Sequence, residues 1–136
     1  MSTRRRVTTT DVQIRWGDMD AMAHVNNAVY LTYLECGRDA FFAEAAPEVD
    51  WMQFALRKVD IDFVSQLTDR DGFARVEVEL EGVGTTSIRT RERILAGSDG
   101  RVAVEASAVI VHLDATKLAS APLPDTLRKA LAALSR

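Results

Sequence analysis

The sequence predicts an α+β domain in which a five-stranded, mainly antiparallel sheet wraps around one long helix and a short helix closes the chain. Three observations predict it. Apolar residues alternate with a period of two in several separate runs. One long run, from Ala28 to about Ala45, changes to a helical period. The order is strand, helix, then four strands joined by links that read as hairpins, hence antiparallel neighbours with one helix to cover a face.

The first strand covers residues 7–16, where Val12, Ile14 and Trp16 alternate with Asp11, Gln13 and Arg15. A polar loop from Gly17 to about Val25 follows, and Asn26 or Asn27 can cap the helix by accepting an unpaired backbone N–H. Tyr30, Tyr33, Leu34, Gly37 and Phe41 share one helix face. Gly37 in mid-helix costs about 1 kcal/mol against Ala, which close packing on a sheet would explain. Strands are then expected over residues 54–66, 73–83, 86–96 and 101–113. Turns fall at Asp69–Gly72, around Gly82 and Gly84, and at Ser98-Asp99-Gly100. The last of these strands is mostly apolar and reads as buried on both faces. After Pro122 and Pro124 a short amphipathic helix carries Leu127, Ala130, Leu131 and Leu134 on one stripe.

With 136 residues the chain reads as a single domain, residues 1–136, whose first six residues form a frayed start. The net charge of -3 gives no general reason to expect nucleic-acid binding, and Arg4-Arg5-Arg6 reads as a solvated run. The lone Cys36 cannot form an intramolecular disulfide, so a reducing, cytoplasmic setting is expected, with Cys36 packed inside the helix. No apolar run reaches membrane-spanning length, and the start lacks the apolar segment of a signal peptide. Five strands around one helix leave little room for an internal ligand cavity, so a second copy is expected to supply a wall.

The chemistry concentrates between Arg15 and Asn27, where two carboxylates, an imidazole and two amides lie between a strand and a helix. Such a segment can aim a carboxylate at the positive end of a helix, which suits attack on a carbonyl whose oxygen gains charge. Asp20 is either an attacking group or a turn cap. The pattern Asp-x-Asp-x-x-x-His-Val-Asn-Asn, with Trp16-Gly17 before it and Tyr30-Leu31-Thr32-Tyr33-Leu34-Glu35 after it, resembles the hotdog-fold acyl-CoA thioesterases, in the 4-hydroxybenzoyl-CoA thioesterase-like branch. The element order matches from about Thr8 to Leu113.

The resemblance implies hydrolysis of an acyl-CoA to free CoA and a carboxylic acid, with no metal and no organic cofactor. It implies that Asp20 acts as nucleophile or as general base on water. His24 would orient that carboxylate, polarise the carbonyl or bind water, or else bond a loop carbonyl. Asn27 would act through its main-chain N–H as the oxyanion donor. Substrate-side candidates are Trp16, Asn26, Tyr30, Thr86, Ser87, Arg89 and Arg91. Asn26 caps the helix or reaches across the site, and Tyr30 lines an acyl tunnel or packs in the core. Thr86 and Ser87 would meet the pantetheine arm. Arg89, Arg91 and Arg93 share a strand face that would either bind CoA phosphates or pair with Glu77 and Glu79 across the hairpin.

His24 departs from the 4-hydroxybenzoyl enzyme, which has no histidine there, so an aliphatic, medium or long acyl chain is expected instead. A carrier-protein thioesterase and a non-catalytic acyl-thioester-binding module are the alternatives. The family also implies a homodimer or homotetramer with sites at the interface between copies. Asp18 reads as a turn residue, Glu35 as an ion-pair partner for Arg38, and His112 as a hydrogen-bonded core histidine. Histidines and cysteine are too few and scattered for zinc, and no Gly-x-Ser-x-Gly or phosphate-binding Gly-Lys motif occurs.

Overall fold

The computed structural model describes residues 6–134. Arg4, Arg5 and most of the expected frayed start lie outside the described residues, but Arg6 forms an ion pair with Glu44. The elements are β1 (Val7–Gln13), α1 (Asn27–Ala45), β2 (Phe54–Phe63), β3 (Phe73–Val83), β4 (Ser87–Ala96), β5 (Val102–His112) and α2 (Asp125–Ala133), with single 3₁₀ turns at Trp16–Asp18, Trp51–Gln53 and Asp69–Asp71. The strands form one sheet in the order β1-β3-β4-β5-β2, antiparallel throughout. α1 lies against it and buries Tyr30, Tyr33, Leu34, Gly37 and Phe41, the expected face, together with Arg38 and Phe42. This is the hotdog layout.

Gly37 explains itself in this packing. A Cβ there would sit 2.8 Å from Val76 Cβ and closer still to its Cγ1, so the absent side chain lets the helix backbone settle on β3. On the sheet side the core is Val76, Val78, Ile88, Ile94, Val104, Ala108 and Ile110, and α2 adds Leu127 and Leu131. Gly100 adopts φ 76° in the β4–β5 turn, the left-handed position expected of Ser98-Asp99-Gly100.

The structure corrects several sequence expectations. β1 ends at Gln13, and the 3₁₀ turn rotates Trp16 out to 86 % exposure while burying Asp18. The β2–β3 link is no hairpin: β2 pairs with β5 at one edge and β3 pairs with β1 and β4, so residues 64–72 cross the end of the sheet. The Asp69–Gly72 turn signal is real, but it is a 3₁₀ turn capped by Thr68. β5 is buried on its inner face, whereas Glu105 is exposed and Ser107 and Val109 are half-buried. Cys36 is exposed, because it points away from the face that Gly37 puts on the sheet. Arg38 turns inward to Glu92 and leaves Glu35 exposed. His112 is half-buried rather than in the core, and its Nδ1 lies 2.8 Å from the Pro122 carbonyl oxygen.

Candidate active site

The loop after β1 is folded by its own polar groups. Asp18 is buried, and its carboxylate accepts from the Arg15 N–H (3.0 Å), the Arg15 guanidinium (3.2 Å) and the Tyr33 hydroxyl (2.7 Å). Burial alone would push this carboxyl up; the three hydrogen bonds outweigh it and hold Asp18 below the usual range. Burial, reinforced by the same contact, pushes the Tyr33 phenol far above its ordinary value. Asp18 is therefore the turn residue expected, and it locks the loop to α1.

Beyond it the chain makes a stub of two antiparallel segments, with Met19 opposite Val25. The Asp20 N–H donates to the His24 carbonyl (2.9 Å), and the Ala23 N–H to that of Asp20 (3.0 Å). Ala23 carries φ 64°, a left-handed conformation that a non-glycine residue adopts at a cost of roughly 1–2 kcal/mol. Strain of this size between Asp20 and His24 persists only where the surroundings fix the loop. Asp20 is half-buried, with Oδ1 accepting from the Met22 N–H at 2.9 Å. His24 is half-buried too.

The helix starts where this stub ends. The Asn26 N–H donates to the Asp18 carbonyl (3.0 Å), and its side chain caps the helix by accepting from the Ala28 N–H (2.9 Å). The first amide inside α1, Asn27 N–H, has no hydrogen-bond partner among the described residues. Asp20 and His24 thus lie on the stub that runs into this helix N-terminus, where the helix dipole favours negative charge, and the one hydrogen bond of the Asp20 carboxylate among the described residues is the turn-cap contact to Met22.

Tyr30 lies one turn further, 1 % exposed, with its ring edge-on to Tyr33 and tilted against Phe63. Its hydroxyl accepts from the Leu67 N–H at 2.9 Å, and burial raises its phenol above the ordinary value. The strand expected over residues 54–66 ends at Phe63, and sequence reading gave no role to residues 67 and 68, yet Leu67 also accepts the Val25 N–H at 2.8 Å. A fully apolar side chain in a crossing loop gives no sign that its backbone holds the site.

The remaining candidates lie elsewhere in the protomer. Thr86 and Ser87 stand at the start of β4, whereas the Asp20 loop adjoins the end where Phe73 and Ala96 pair neighbouring strands. The ten residues of β4 put about 30 Å between those ends. Arg89 and Arg91 are exposed on the outer sheet face. Arg93 pairs with Glu77 at 2.7 Å as expected, but Arg91 reaches Glu81 at 3.5 Å rather than Glu79 opposite it. A cleft of about 340 Å³ opens between α1 and β2, lined by Arg38, Asp39, Phe42, Trp51, Phe54 and Leu56 among others. Among the described residues no three His, Cys, Asp or Glu side chains gather as a metal site.

A family model described as the thioesterase-like superfamily matches residues 14–131. A thioesterase from Thermus thermophilus, solved with coenzyme A and Zn, is 30 % identical over 94 % of this chain and 93 % of its own, with a TM-score of 0.81. A putative thioesterase from Pseudomonas aeruginosa is 28 % identical over 91 % and 97 %, at a TM-score of 0.74. A 1,4-dihydroxy-2-naphthoyl-CoA thioesterase from Synechocystis shares the fold, at 16 % identity over 96 % and 99 % and a TM-score of 0.77. No curated protein matches the chain. The chain belongs to the thioesterase-like superfamily and is a thioester hydrolase of the hotdog fold.

Proposed function

We propose that the protein hydrolyses an aliphatic acyl-CoA of medium or long chain, with Asp20 as the attacking carboxylate or as general base on water. The observation that carries the reading is the half-buried Asp20 on a strained stub that leads into α1, whose first amide, Asn27 N–H, has no partner among the described residues. A thioester carbonyl seated between them meets a carboxylate on one side and a main-chain donor on its oxygen. That donor stabilises the charge that develops on attack. His24, on the same stub, orients the carboxylate or the water. The Thermus thermophilus relative bound to coenzyme A supports a CoA thioester as substrate. The Synechocystis relative acts on an aromatic acyl-CoA, so an acyl panel must include aromatic groups.

The acting unit in this reading is a homodimer. β2 is an edge strand whose outer backbone edge is unpaired among the described residues, with Leu56 and Phe63 exposed on it, Val64 exposed just after it and Leu31 exposed on α1. Antiparallel pairing of two β2 edges would bring the start of one β2 to the end of the other, so one copy's α1–β2 cleft would adjoin the other copy's Asp20 loop. No helix among the described residues is long and apolar enough to cross a membrane, and a reducing cytoplasmic setting suits the exposed free thiol of Cys36.

Purified protein is incubated with saturated, unsaturated and aromatic acyl-CoAs and with acyl-carrier-protein thioesters, with a thiol reagent as readout. Free CoA is expected, with Asp20→Asn slower by about a hundredfold or more. Unchanged turnover in a folded Asp20→Asn oligomer rejects the assignment. Release only from carrier-protein thioesters would move the substrate, and release from none would leave a binding module.

A further inference from the structure

We propose that Arg101 is a positioning residue for the thioesterase site, acting through the crossing segment 64–72. The inference rests on the reading of Asp20 as the attacking carboxylate. It begins with Leu67, whose peptide groups touch both sides of the site: its N–H donates to the Tyr30 hydroxyl on α1, and its carbonyl accepts from Val25, the residue between His24 and the helix cap. Leu67 therefore bridges the Asp20 stub and the first turn of α1, in addition to the ties that Asp18 makes to Asn26 and Tyr33.

Arg101, at the entrance to β5, is built to do that. Its Nη2 donates to the Gln66 carbonyl at 2.6 Å, one residue before Leu67. The same guanidinium forks onto Asp71 at 3.0 and 3.1 Å. Asp71 in turn accepts from the Thr68 N–H at 2.9 Å, one residue after Leu67, and from the Ser98 hydroxyl at 2.5 Å. One planar cation therefore grips the segment on both flanks of Leu67. Asp99 accepts at 3.1 and 3.2 Å from Nη1, the nitrogen that also donates to Asp71 Oδ1, which restrains the rotation of the guanidinium. Lysine carries the charge but cannot span two separate acceptors as a fork does. Arg101 touches no reacting atom; displacing the stub by even about 1 Å is enough to cost roughly a hundredfold in rate.

The test compares Arg101→Gln, Arg101→Lys, Asp20→Asn and a control, Arg75→Gln, whose ion pair with Asp11 is exposed on the outer sheet. Steady-state kinetics on the best acyl-CoA are read alongside amide hydrogen exchange at Val25, Leu67 and Val78. Both Arg101 variants are expected to keep KM within about threefold and to lose kcat about tenfold to a hundredfold, Gln more than Lys. Exchange at Val25 and Leu67 should speed at least about tenfold, while Val78 in the sheet stays protected. Arg75→Gln should match the wild type in both. A wild-type kcat in folded Arg101→Lys, or unchanged exchange at Val25 and Leu67, overturns the proposal. So does equal loss of protection at Val25 and Val78 in both Arg101 variants, because Arg101 would then hold the fold and not the loop. If Asp20→Asn remains fully active, the attacking carboxylate is misassigned, while the exchange data still judge the strap.

Discussion

The helix–sheet contact contains a charged pair that should dominate the response of this fold to mutation. Arg38 on α1 forks onto Glu92 on β4, Nε to Oε2 at 2.9 Å and Nη2 to Oε1 at 2.7 Å, and the Thr90 hydroxyl donates to Oε2 at 2.6 Å. The Glu92 side chain has no exposed area and that of Arg38 only 9 %. Removing one partner leaves the other charge buried without compensation, a loss of about 3–5 kcal/mol. At roughly 2.1 cal/mol/K of unfolding entropy per residue, a chain of 136 residues loses about 3–4 °C of Tm per kcal/mol, so a single variant should melt about 10–17 °C lower. Arg38→Met and Glu92→Gln test the two halves by calorimetry. The triple change Arg38→Met, Thr90→Val and Glu92→Leu, which removes every polar group together, should return to within about 1–2 kcal/mol of the wild type. Single variants melting within about 3 °C of wild type would refute the argument, since the site would then be admitting water.

Two further outcomes follow from the same packing. Gly37→Ala should lose about 1–2 kcal/mol in denaturant titration, because overpacking against Val76 outweighs the gain of about 1 kcal/mol in helix propensity; pairing it with Val76→Ala should recover part of the loss. Asp71 is held down to about 2 from 3.8, chiefly by the Arg101 hydrogen bond, so its contribution is complete above about pH 4 and is lost as pH falls toward 2, where the unfolded chain takes up the proton first. Asp71→Asn should flatten the Tm-against-pH curve in that window and leave its slope above pH 5 unchanged.

What the sequence made legible divides along physical lines. Elements governed by local rules were readable: the helical face from Tyr30 to Phe41, the strand Phe73–Val83, the Asn26 cap and the Ser98-Asp99-Gly100 turn each depend on residues a few positions apart. Gly37 was readable as a close approach, although only packing shows that Val76 is what it approaches. The Asp20–Asn27 loop stood out in the sequence because two carboxylates, an imidazole and two amides crowd between a strand pattern and a helix pattern. Long-range choices were not. Whether β2 pairs with β3 or with β5 depends on which partner lets α1 cover the sheet, and the turn at Asp69–Gly72 exists in either case. Strand alternation does place Glu92 on the same face as Ile88 and Ile94, so a charge on an inward position was visible. Its partner, Arg38, sits on the apolar stripe between Leu34 and Phe41. Each looks like a local error in an amphipathic pattern, and they cancel only once helix and sheet are docked. Leu67 is the opposite case: its side chain fits its place without comment, and its importance lies in backbone groups that every residue carries. Side-chain patterns therefore find the carboxylate of a site more readily than the peptide bonds that aim it, and the latter emerge only from asking where each buried N–H and carbonyl finds its partner.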